Sequence, residues 1–205
     1  MSERRTALVT GGAKRVGRAI VERLVEAGFD VAFTYRGSSH DAKELSDELA
    51  HRGHRVVTKQ IDLAEPDAAQ QLAYWARSSL GRLDVLVNNA SMYQPDDGPA
   101  GASPTLMTTL MNVNFVAPAW LTTNLLPELK ASGGVVVNMV DLLATKPWPQ
   151  YSAYCASKAA IHNFTLSMAR KLAPEARCVG IAPGVVDWPD DMPEAAREEY
   201  LAKVP

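Results

Sequence analysis

Residues 10–17 read Thr10-Gly11-Gly12-Ala13-Lys14-Arg15-Val16-Gly17, and they join a short apolar run to an amphipathic stretch. The apolar run, Thr6–Thr10, has the composition of a buried strand. The stretch from about Arg15 to Ala27 has apolar residues at helical spacing and is followed by Gly28, a typical helix terminator. Glycines let the backbone turn tightly and approach a pyrophosphate, whose charge is favoured by a helix N-terminus. This strand–turn–helix unit therefore predicts a dinucleotide-binding turn.

Strand-like and helix-like stretches alternate along the rest of the chain, and continuous Val/Ile/Leu runs between helices indicate a parallel sheet covered on both faces. The sequence thus predicts an α/β fold, a Rossmann-like doubly wound parallel sheet, as a single dinucleotide-binding domain over residues 1–205. After the first strand, the predicted strands are Val31–Tyr35, Val56–Ile61, Val85–Val87, Val135–Val140 and Cys178–Ile181. After the first helix, the predicted helices are Asp41–His51, Pro66–Leu80, Pro104–Lys130 and Tyr151–Leu172.

The carboxyl end of the chain comes soon after the sixth predicted strand. That strand ends near Ile181, and one acidic segment follows it. An uncovered sheet edge is a liability for an isolated chain because its backbone groups can pair with other chains. We therefore expect either a C-terminally truncated domain that lacks a seventh strand, or an edge that a partner subunit covers.

The composition excludes several classes of function. The chain has 205 residues, of which 47% are hydrophobic and 21% charged, and its formal net charge is −2. A nucleic-acid-binding surface usually shows a basic excess, so no nucleic-acid partner is expected. Two cysteines cannot build a disulfide framework or a zinc cluster, and no metal site is predicted. No apolar run is long enough to cross a membrane and no signal segment is evident, so we expect a cytoplasmic protein.

The end of the second strand indicates which dinucleotide binds. An NAD site carries an Asp or Glu there to bind the ribose hydroxyls, but residues 34–39 contain no carboxylate. Arg36 and Ser38 offer a guanidinium and a hydroxyl to a 2′-phosphate, with Lys14 and Arg15 in the neighbouring turn. The sequence therefore predicts NADPH. Asp62, after the third strand, is placed either to bind the adenine amino group or to cap a turn.

Tyr154 and Lys158 are four residues apart in a predicted helix and therefore lie on one face. A tyrosine with a pKa near 10 is a poor acid–base catalyst at neutral pH. A nearby ammonium favours the phenolate, so we expect Lys158 to lower the pKa of Tyr154. An isolated Tyr-x-x-x-Lys is most often an ordinary surface pair, so the neighbouring motifs decide its meaning.

Over essentially its whole length, the chain resembles the short-chain dehydrogenase/reductase family. The resemblance is carried by the Gly-rich turn, Asn88-Asn89-Ala90, Asn114, the Tyr154/Lys158 pair and Pro183-Gly184. It implies that Tyr154 exchanges the proton, that Lys158 binds the nicotinamide ribose and that Asn114 maintains a proton-relay water. It also implies a homo-oligomer, commonly a tetramer. The cofactor-binding residues predicted from these motifs and from the second strand are Gly11, Lys14, Arg15, Val16, Gly17, Tyr35, Arg36, Ser38, Asp62, Leu63, Asn89, Ala90, Ser91, Tyr154, Lys158, Pro183 and Gly184.

Two departures from the usual family pattern are similar to a pteridine reductase subgroup, which includes dihydromonapterin reductases. Arg15 stands where most members have a glycine, and Asp141 stands where they have a catalytic serine, 13 residues before Tyr154. The stretch Asn89-Ala90-Ser91-Met92-Tyr93 also resembles an element of that subgroup. The resemblance implies that Tyr93 stacks a pterin ring against the nicotinamide, that Ser91 makes a polar contact and that Arg15 is shared by cofactor phosphate and pterin.

The reaction implied is hydride transfer from NADPH to a ring C=N of a dihydropterin, dihydromonapterin or dihydrofolate, followed by protonation of nitrogen. A carboxylic acid beside a phenol can deliver protons to ring nitrogens, whereas a serine hydroxyl is better suited to polarising a carbonyl. We therefore expect Asp141 to be buried, to carry a proton at neutral pH and to act with Tyr154, Lys158 and Asn114 in catalysis. Two alternatives remain: a carbonyl reductase of the same family acting on a 3-oxoacyl thioester or other ketone, and a non-catalytic NADP(H)-sensing protein. Trp148 and Trp188 either line the substrate pocket or pack within their loops.

Overall fold

The computed structural model describes residues 4–184, 186 and 192–202, and it confirms the predicted Rossmann-like fold. Six parallel strands form one sheet in the order β3-β2-β1-β4-β5-β6. The chain therefore leaves β1 in one direction along the sheet and returns to its other side at β4, which makes the β1/β4 boundary a topological switch point. The strands are β1 (Thr6–Val9), β2 (Asp30–Tyr35), β3 (Val56–Gln60), β4 (Val85–Asn88), β5 (Val135–Met139) and β6 (Arg177–Ile181).

Helices cover both faces of the sheet. They are α1 (Arg15–Glu26), α2 (Ser39–His51), α3 (Ala68–Leu80), α4 (Pro104–Met111), α5 (Ala117–Asn124), α6 (Leu126–Ser132), α7 (Ser152–Leu172) and α8 (Glu194–Leu201). A π-helical segment, Asn112–Val116, joins α4 to α5, and two 3₁₀ turns, Leu142–Ala144 and Pro149–Tyr151, precede α7. Among the described residues, no helix is both long and apolar enough to cross a membrane.

Alternate side chains of the strands enter two separate apolar layers, because successive residues of a strand point to opposite faces. Leu8 lies in one cluster with Leu72 of α3 and Leu121 of α5. Val9, the next residue, lies in the other cluster with Val21 of α1. β1 is completely buried, so the turn that follows it starts from a rigid position in the centre of the sheet.

The predicted single helix Pro104–Lys130 is wrong, because the structure divides this stretch into α4, the π-helical segment, α5 and α6. Prolines explain the breaks, since a proline has no N–H to donate and its ring clashes with the preceding turn. Pro118 lies in the first turn of α5 and Pro127 in the first turn of α6. The side chain of Arg77 donates to the carbonyl of Asn124, the last residue of α5, and so binds a helix-end acceptor that the break leaves open.

The carboxyl-terminal part of the described chain contains a helix that was not predicted and an exposed edge strand. The acidic segment, for which no element was predicted, contains helix α8. β6 forms one edge of the described sheet, and Val179 and Ile181 on this strand are 43% and 49% exposed.

Candidate active site

A cavity of about 880 Å³ lies at the carboxyl ends of the central strands, at the switch point between β1 and β4. The predicted cofactor and substrate residues that line it are Gly11, Lys14, Arg15, Val16, Gly17, Tyr35, Arg36, Ser38, Asp62, Leu63, Asn89, Ala90, Ser91, Tyr93, Asp141, Tyr154, Lys158, Pro183 and Gly184. Trp148 lines it too, whereas Trp188 lies outside the described residues. Lining residues that the sequence did not indicate include Met92, Met139, Leu143 and Tyr151.

The Gly-rich turn has space for backbone atoms only. A Cβ atom on Gly17 would lie 2.0 Å from the carbonyl oxygen of Gly11, and one on Gly11 would lie 3.0 Å from the Cα of Ala90. Asn89 fixes the turn to the end of β4 because its side-chain amide donates to the carbonyls of Thr10 and Gly11, at 2.9 and 3.0 Å. The turn thus leads into the N-terminus of α1 without a side-chain cap. The helix N-terminus and the close backbone approach at the turn fit a pyrophosphate.

Arg15 has a backbone φ of +50°, in the left-handed region that side chains other than glycine rarely adopt. The left-handed conformation costs an L-residue about 1–2 kcal/mol. This is the position where a glycine is usual in the family that the sequence resembles. Strain of this kind is typically kept where a side chain serves a function, and the arginine lines the cavity.

Charged and hydroxyl side chains lie at the end of β2, as the sequence predicted. Arg36 and Ser38 line the cavity there. The sequence did not indicate that Asp41 of α2 is close to this group: its Oδ2 is 3.1 Å from the Nζ of Lys14. The hydrogen bond from Lys14 holds the pKa of Asp41 below its usual value. The predicted absence of a carboxylate therefore applies to residues 34–39, while Asp41 pairs with one of the nearby cations.

Asp62 lines the cavity beyond the end of β3. Its Oδ1 accepts a hydrogen bond from the backbone N–H of Ala64 at 2.9 Å, so it caps the local turn. The capping alternative is therefore present in the structure, and contact with adenine stays a prediction.

Asp141 and Tyr154 form a hydrogen-bonded pair at the cavity wall. The Tyr154 hydroxyl donates to Asp141 Oδ2 at 2.6 Å, and Asp141 Oδ1 accepts from the backbone N–H of Leu143 at 2.8 Å. Tyr154 is 4% exposed. Asp141 is half-buried, not fully buried as predicted, because it caps a 3₁₀ turn whose first residue, Leu142, is exposed. The carboxyl is nevertheless directed toward the phenol and the cavity.

Lys158 lies near the ring of Tyr154, and the pKa shift of Tyr154 is opposite to the one predicted. Its Nζ donates to the carbonyl of Met139 at 2.9 Å and is 5.8 Å from the centroid of the Tyr154 ring. Burial lowers the pKa of Lys158 to about 8. Burial and the hydrogen bond to Asp141 raise the pKa of Tyr154 above its usual value. The pKa of Tyr154 is therefore raised and not lowered as predicted, because burial and Asp141 dominate the shift, and the phenol keeps its proton at neutral pH.

These shifts predict how stability depends on pH. Between about pH 8 and 10, Lys158 is protonated in the unfolded chain but largely neutral in the folded protein. Because the unfolded state then binds more protons, the free energy of unfolding rises with pH, by up to about 1.4 kcal/mol per pH unit. Above about pH 10 the raised pKa of Tyr154 acts in the opposite direction. We expect urea denaturation of Lys158→Met to lose the rise; the same slope in variant and wild type would contradict this assignment.

Asn114, in the π-helical segment, is 2% exposed and makes four side-chain hydrogen bonds. Its Nδ2 donates to the carbonyl of Met92 and the hydroxyl of Ser157, both at 2.9 Å. Its Oδ1 accepts from the Met92 N–H at 2.8 Å and the Ser91 hydroxyl at 3.1 Å. The side chain therefore joins the loop after β4 to helix α7 and has no capacity left for the predicted water. Its carbonyl lacks the usual i+4 donor because residue 118 is proline.

Three tyrosines form an aromatic group beside Asp141. Tyr93 stacks on Tyr151 with centroids 4.6 Å apart and planes at 14°, and it meets Tyr154 edge-on at 4.8 Å and 87°. Tyr93 is 54% exposed and lines the cavity. Tyr151 was not predicted as a site residue. Its signal in the sequence is its position three residues before Tyr154, a spacing that places two side chains on one helix face. The group therefore presents a flat aromatic surface next to the phenol–carboxyl pair.

Comparisons with known proteins show which family the chain belongs to. The family model for short chain dehydrogenase matches residues 5–200. A protein named pteridine reductase 1 from Leishmania tarentolae is 34% identical over an alignment of 238 residues, which covers 97% of this chain and 82% of that protein. A 3-oxoacyl-[acyl-carrier-protein] reductase FabG from Staphylococcus aureus is 28% identical over 209 residues, covering 100% of this chain and 85% of that protein.

Among solved structures, acetoin dehydrogenase YohF from Salmonella typhimurium superposes with a TM-score of 0.82 at 29% identity. The match covers 88% of this chain and 76% of that one. One cavity is lined both by the glycine turn at the switch point of the parallel sheet and by the Tyr154/Lys158 pair. The family model covers nearly the entire sequence. The chain belongs to the short-chain dehydrogenase family of oxidoreductases.

Proposed function

We propose that the protein is an NADPH-dependent reductase that transfers hydride to a C=N bond of a pterin, such as a dihydropterin, dihydromonapterin or dihydrofolate. The observation that carries the proposal is the 2.6 Å hydrogen bond between Tyr154 and Asp141 beside the exposed face of Tyr93. A flat heteroaromatic ring needs a stacking surface and a few polar groups that orient its edge. This end of the cavity supplies both.

The residues that would hold NADPH fit its parts. The backbone turn at Gly11 and Gly17 suits the pyrophosphate, and a Cβ on Gly17 would collide with the carbonyl of Gly11 and displace this turn. Arg36 and Ser38 suit the 2′-phosphate, and Lys158 is placed for the nicotinamide ribose. When bound, NADPH supplies the hydride that reduces the carbon of the C=N bond.

Side chains of the protein would supply the proton. Reduction of a C=N bond consumes one hydride at carbon and one proton at nitrogen, leaving the oxidised cofactor. Burial and Asp141 raise the pKa of Tyr154, so the phenol carries its proton at neutral pH and is a weaker acid than a free tyrosine. The strongly basic nitrogen that hydride transfer to the C=N carbon creates is the group that would take this proton. Asp141 accepts the hydrogen bond of the same hydroxyl and is half-buried, so it connects the phenol to the solvent from which the delivered proton would be replaced. We place the relay water at the backbone carbonyl of Asn114, to which residue 118, a proline, cannot donate.

The named relatives support two substrate classes. Pteridine reductase 1 reduces a pteridine, as its name states, and that likeness together with Asp141 favours a pterin here. The FabG relative and the acetoin dehydrogenase are named for substrates with carbonyl groups, which supports a ketone reductase as the second candidate. A non-catalytic NADP(H) sensor is disfavoured because a sensor has no use for a buried phenol bonded to a carboxyl.

The test is NADPH oxidation with a panel of dihydropterins, dihydrofolate, a 3-oxoacyl thioester and simple ketones. We expect turnover with pterins, and we expect Asp141→Ser to lose it. Turnover of ketones alone would refute the pterin proposal, and binding of NADPH with no turnover of any compound would establish the sensor.

The choice of cofactor has its own prediction. Replacing Arg36 by alanine removes a guanidinium from the 2′-phosphate site, where a hydrogen bond to a charged group contributes about 1.5–3 kcal/mol. We expect the Kd for NADPH to rise about 10- to 100-fold, while the Kd for NADH stays unchanged. Fluorescence titration of both cofactors measures the ratio. Equal losses for NADPH and NADH would mean that Arg36 does not contact the phosphate.

We also propose a homo-oligomer, with a tetramer as the favoured state. Trp120 on α5 and Leu166 on α7 are 60% and 57% exposed, an unusual amount of apolar surface on two contacting helices. Light scattering after size-exclusion chromatography measures the mass, and a monomer at micromolar concentration would reject this proposal.

A further inference from the structure

Helix α7 carries Tyr154 and Lys158, yet its own sequence does not cap its N-terminus. The residue at the N-cap, Tyr151, makes no capping hydrogen bond through its side chain, and the first turn contains no acidic residue. The first N–H groups of a helix need acceptors because no preceding turn provides them. The position of this N-terminus matters because the catalytic phenol lies within its first turn.

Asp96, in the loop after β4, provides the cap from 56 residues earlier in the chain. Its Oδ2 accepts from the hydroxyl and the N–H of Ser152, at 2.6 and 3.1 Å, and its Oδ1 accepts from the N–H of Ala153 at 3.4 Å. Its own N–H donates to the carbonyl of Gln150 at 2.9 Å. The hydrogen bond from Ser152 lowers the pKa of Asp96 below its usual value. A negative charge here also suits the helix dipole.

The cap is connected to the stacking surface by a short, stiff segment. Asp96 is the third residue after Tyr93, and Pro95, immediately before it, restricts the backbone. Tyr93 in turn packs between Tyr151, which precedes α7, and Tyr154 within it. The loop therefore touches α7 twice, once through the carboxylate of Asp96 and once through the ring of Tyr93.

We propose that Asp96 is a positioning residue for substrate: by capping α7, it holds Tyr93 against Tyr151 and Tyr154 and so fixes the aromatic face that a planar substrate meets. The inference rests on the proposed function for the identity of that substrate. Tyr93 is 54% exposed. The hydrogen bonds at Asp96 hold the loop that carries this side chain against the N-terminus of α7.

The neighbouring residue, Asp97, provides a matched control. Its carboxylate accepts from the N–H and the hydroxyl of Ser103, at 2.6 and 2.7 Å, where Ser103 caps helix α4. Asp97 therefore belongs to the same loop, carries the same charge and also bonds at a helix N-terminus. We expect the aromatic group not to depend on this second tether.

The test compares Asp96→Ala, Asp96→Asn and Asp97→Ala as full-length proteins. We expect Asp96→Ala to raise the KM for a dihydropterin by about tenfold or more, since small misplacements of positioning groups have effects of this order. Its kcat should change less, and its Kd for NADPH should not change. In the absence of substrate, the near-ultraviolet circular dichroism of the stacked tyrosines should be weaker in Asp96→Ala than in wild type. Asp96→Asn keeps an acceptor oxygen and should recover most of both signals, while Asp97→Ala should resemble wild type.

Several results would overturn the proposal. Equal KM values and equal tyrosine spectra for Asp96→Ala and Asp97→Ala would show that the cap does not position Tyr93. A parallel loss of NADPH affinity in Asp96→Ala would indicate general damage to the fold. If the wild type reduces no pterin, the proposed function fails, but the spectra still decide the role of Asp96. If Asp96→Ala does not fold, Ser152→Ala removes the 2.6 Å bond alone, and an unchanged tyrosine spectrum in that variant counts against the proposal.

Discussion

Replacing Tyr154 by phenylalanine lowers kcat by about 10²–10⁴-fold, the range that a positioned general acid contributes. The phenylalanine keeps the buried ring and its edge-on contact with Tyr93 but has no proton to donate. NADPH binding should persist, because the turn at Gly17 and the end of β2 are untouched. Loss of the 2.6 Å bond to Asp141 should cost only about 1 kcal/mol of stability, since water can reach the half-buried carboxyl.

Tyr74→Phe is the control for this experiment. Tyr74 lies on α3, is 74% exposed and is remote from the cavity, so removal of its hydroxyl should leave kcat unchanged. Stopped-flow measurement of a single turnover separates chemistry from product release. If Tyr154→Phe retains more than about a tenth of the wild-type rate in that step, a different group supplies the proton.

Replacing Gly17 by alanine abolishes or severely weakens NADPH binding. The added Cβ would lie 2.0 Å from the carbonyl oxygen of Gly11 and 2.8 Å from the side-chain amide of Asn89. One of these neighbours is backbone, so the turn itself must move. We expect the Kd for NADPH to rise at least about tenfold, with a loss of about 1–3 kcal/mol in the free energy of unfolding.

Gly28→Ala, at the other end of α1, separates the two effects. Gly28 has a φ of +83°, but a Cβ added there would have nothing within 4 Å, so alanine is strained without being crowded. We expect it to lose about 1 kcal/mol of stability and to bind NADPH as wild type does. If Gly17→Ala binds NADPH with wild-type affinity, the turn does not hold the pyrophosphate.

The strands were predictable because their signal is local. Runs such as Val135–Met139 are apolar on both faces, and only the centre of a covered parallel sheet suits such a run. The sheet therefore followed from periodicity alone. The divided helical region after β4 did not, because residues 104–130 contain no glycine and few charges, and the breaks depend on where Pro118 and Pro127 interrupt the hydrogen bonds.

The candidate site was predictable in its members but not in its electrostatics. The four-residue spacing placed Tyr154 and Lys158 on one face, and both line the cavity. The spacing contains no information about desolvation or about the carboxyl of Asp141, and these two causes raise the pKa of Tyr154. The roles of Asp96 and Tyr151 were not predicted for a related reason, since their contacts join segments that are far apart in sequence or cross a turn.

The most direct test follows the hydride itself. Wild-type protein is mixed with a dihydropterin and NADPH that carries deuterium at both positions of the reduced nicotinamide carbon, and the product is analysed by mass spectrometry and NMR. We predict a tetrahydropterin with a single deuterium on the carbon of the former C=N bond and an unlabelled proton on the adjacent nitrogen. Deuterium that stays in the cofactor with pterins, but appears in alcohols when ketones are supplied, would contradict the proposed pterin reduction.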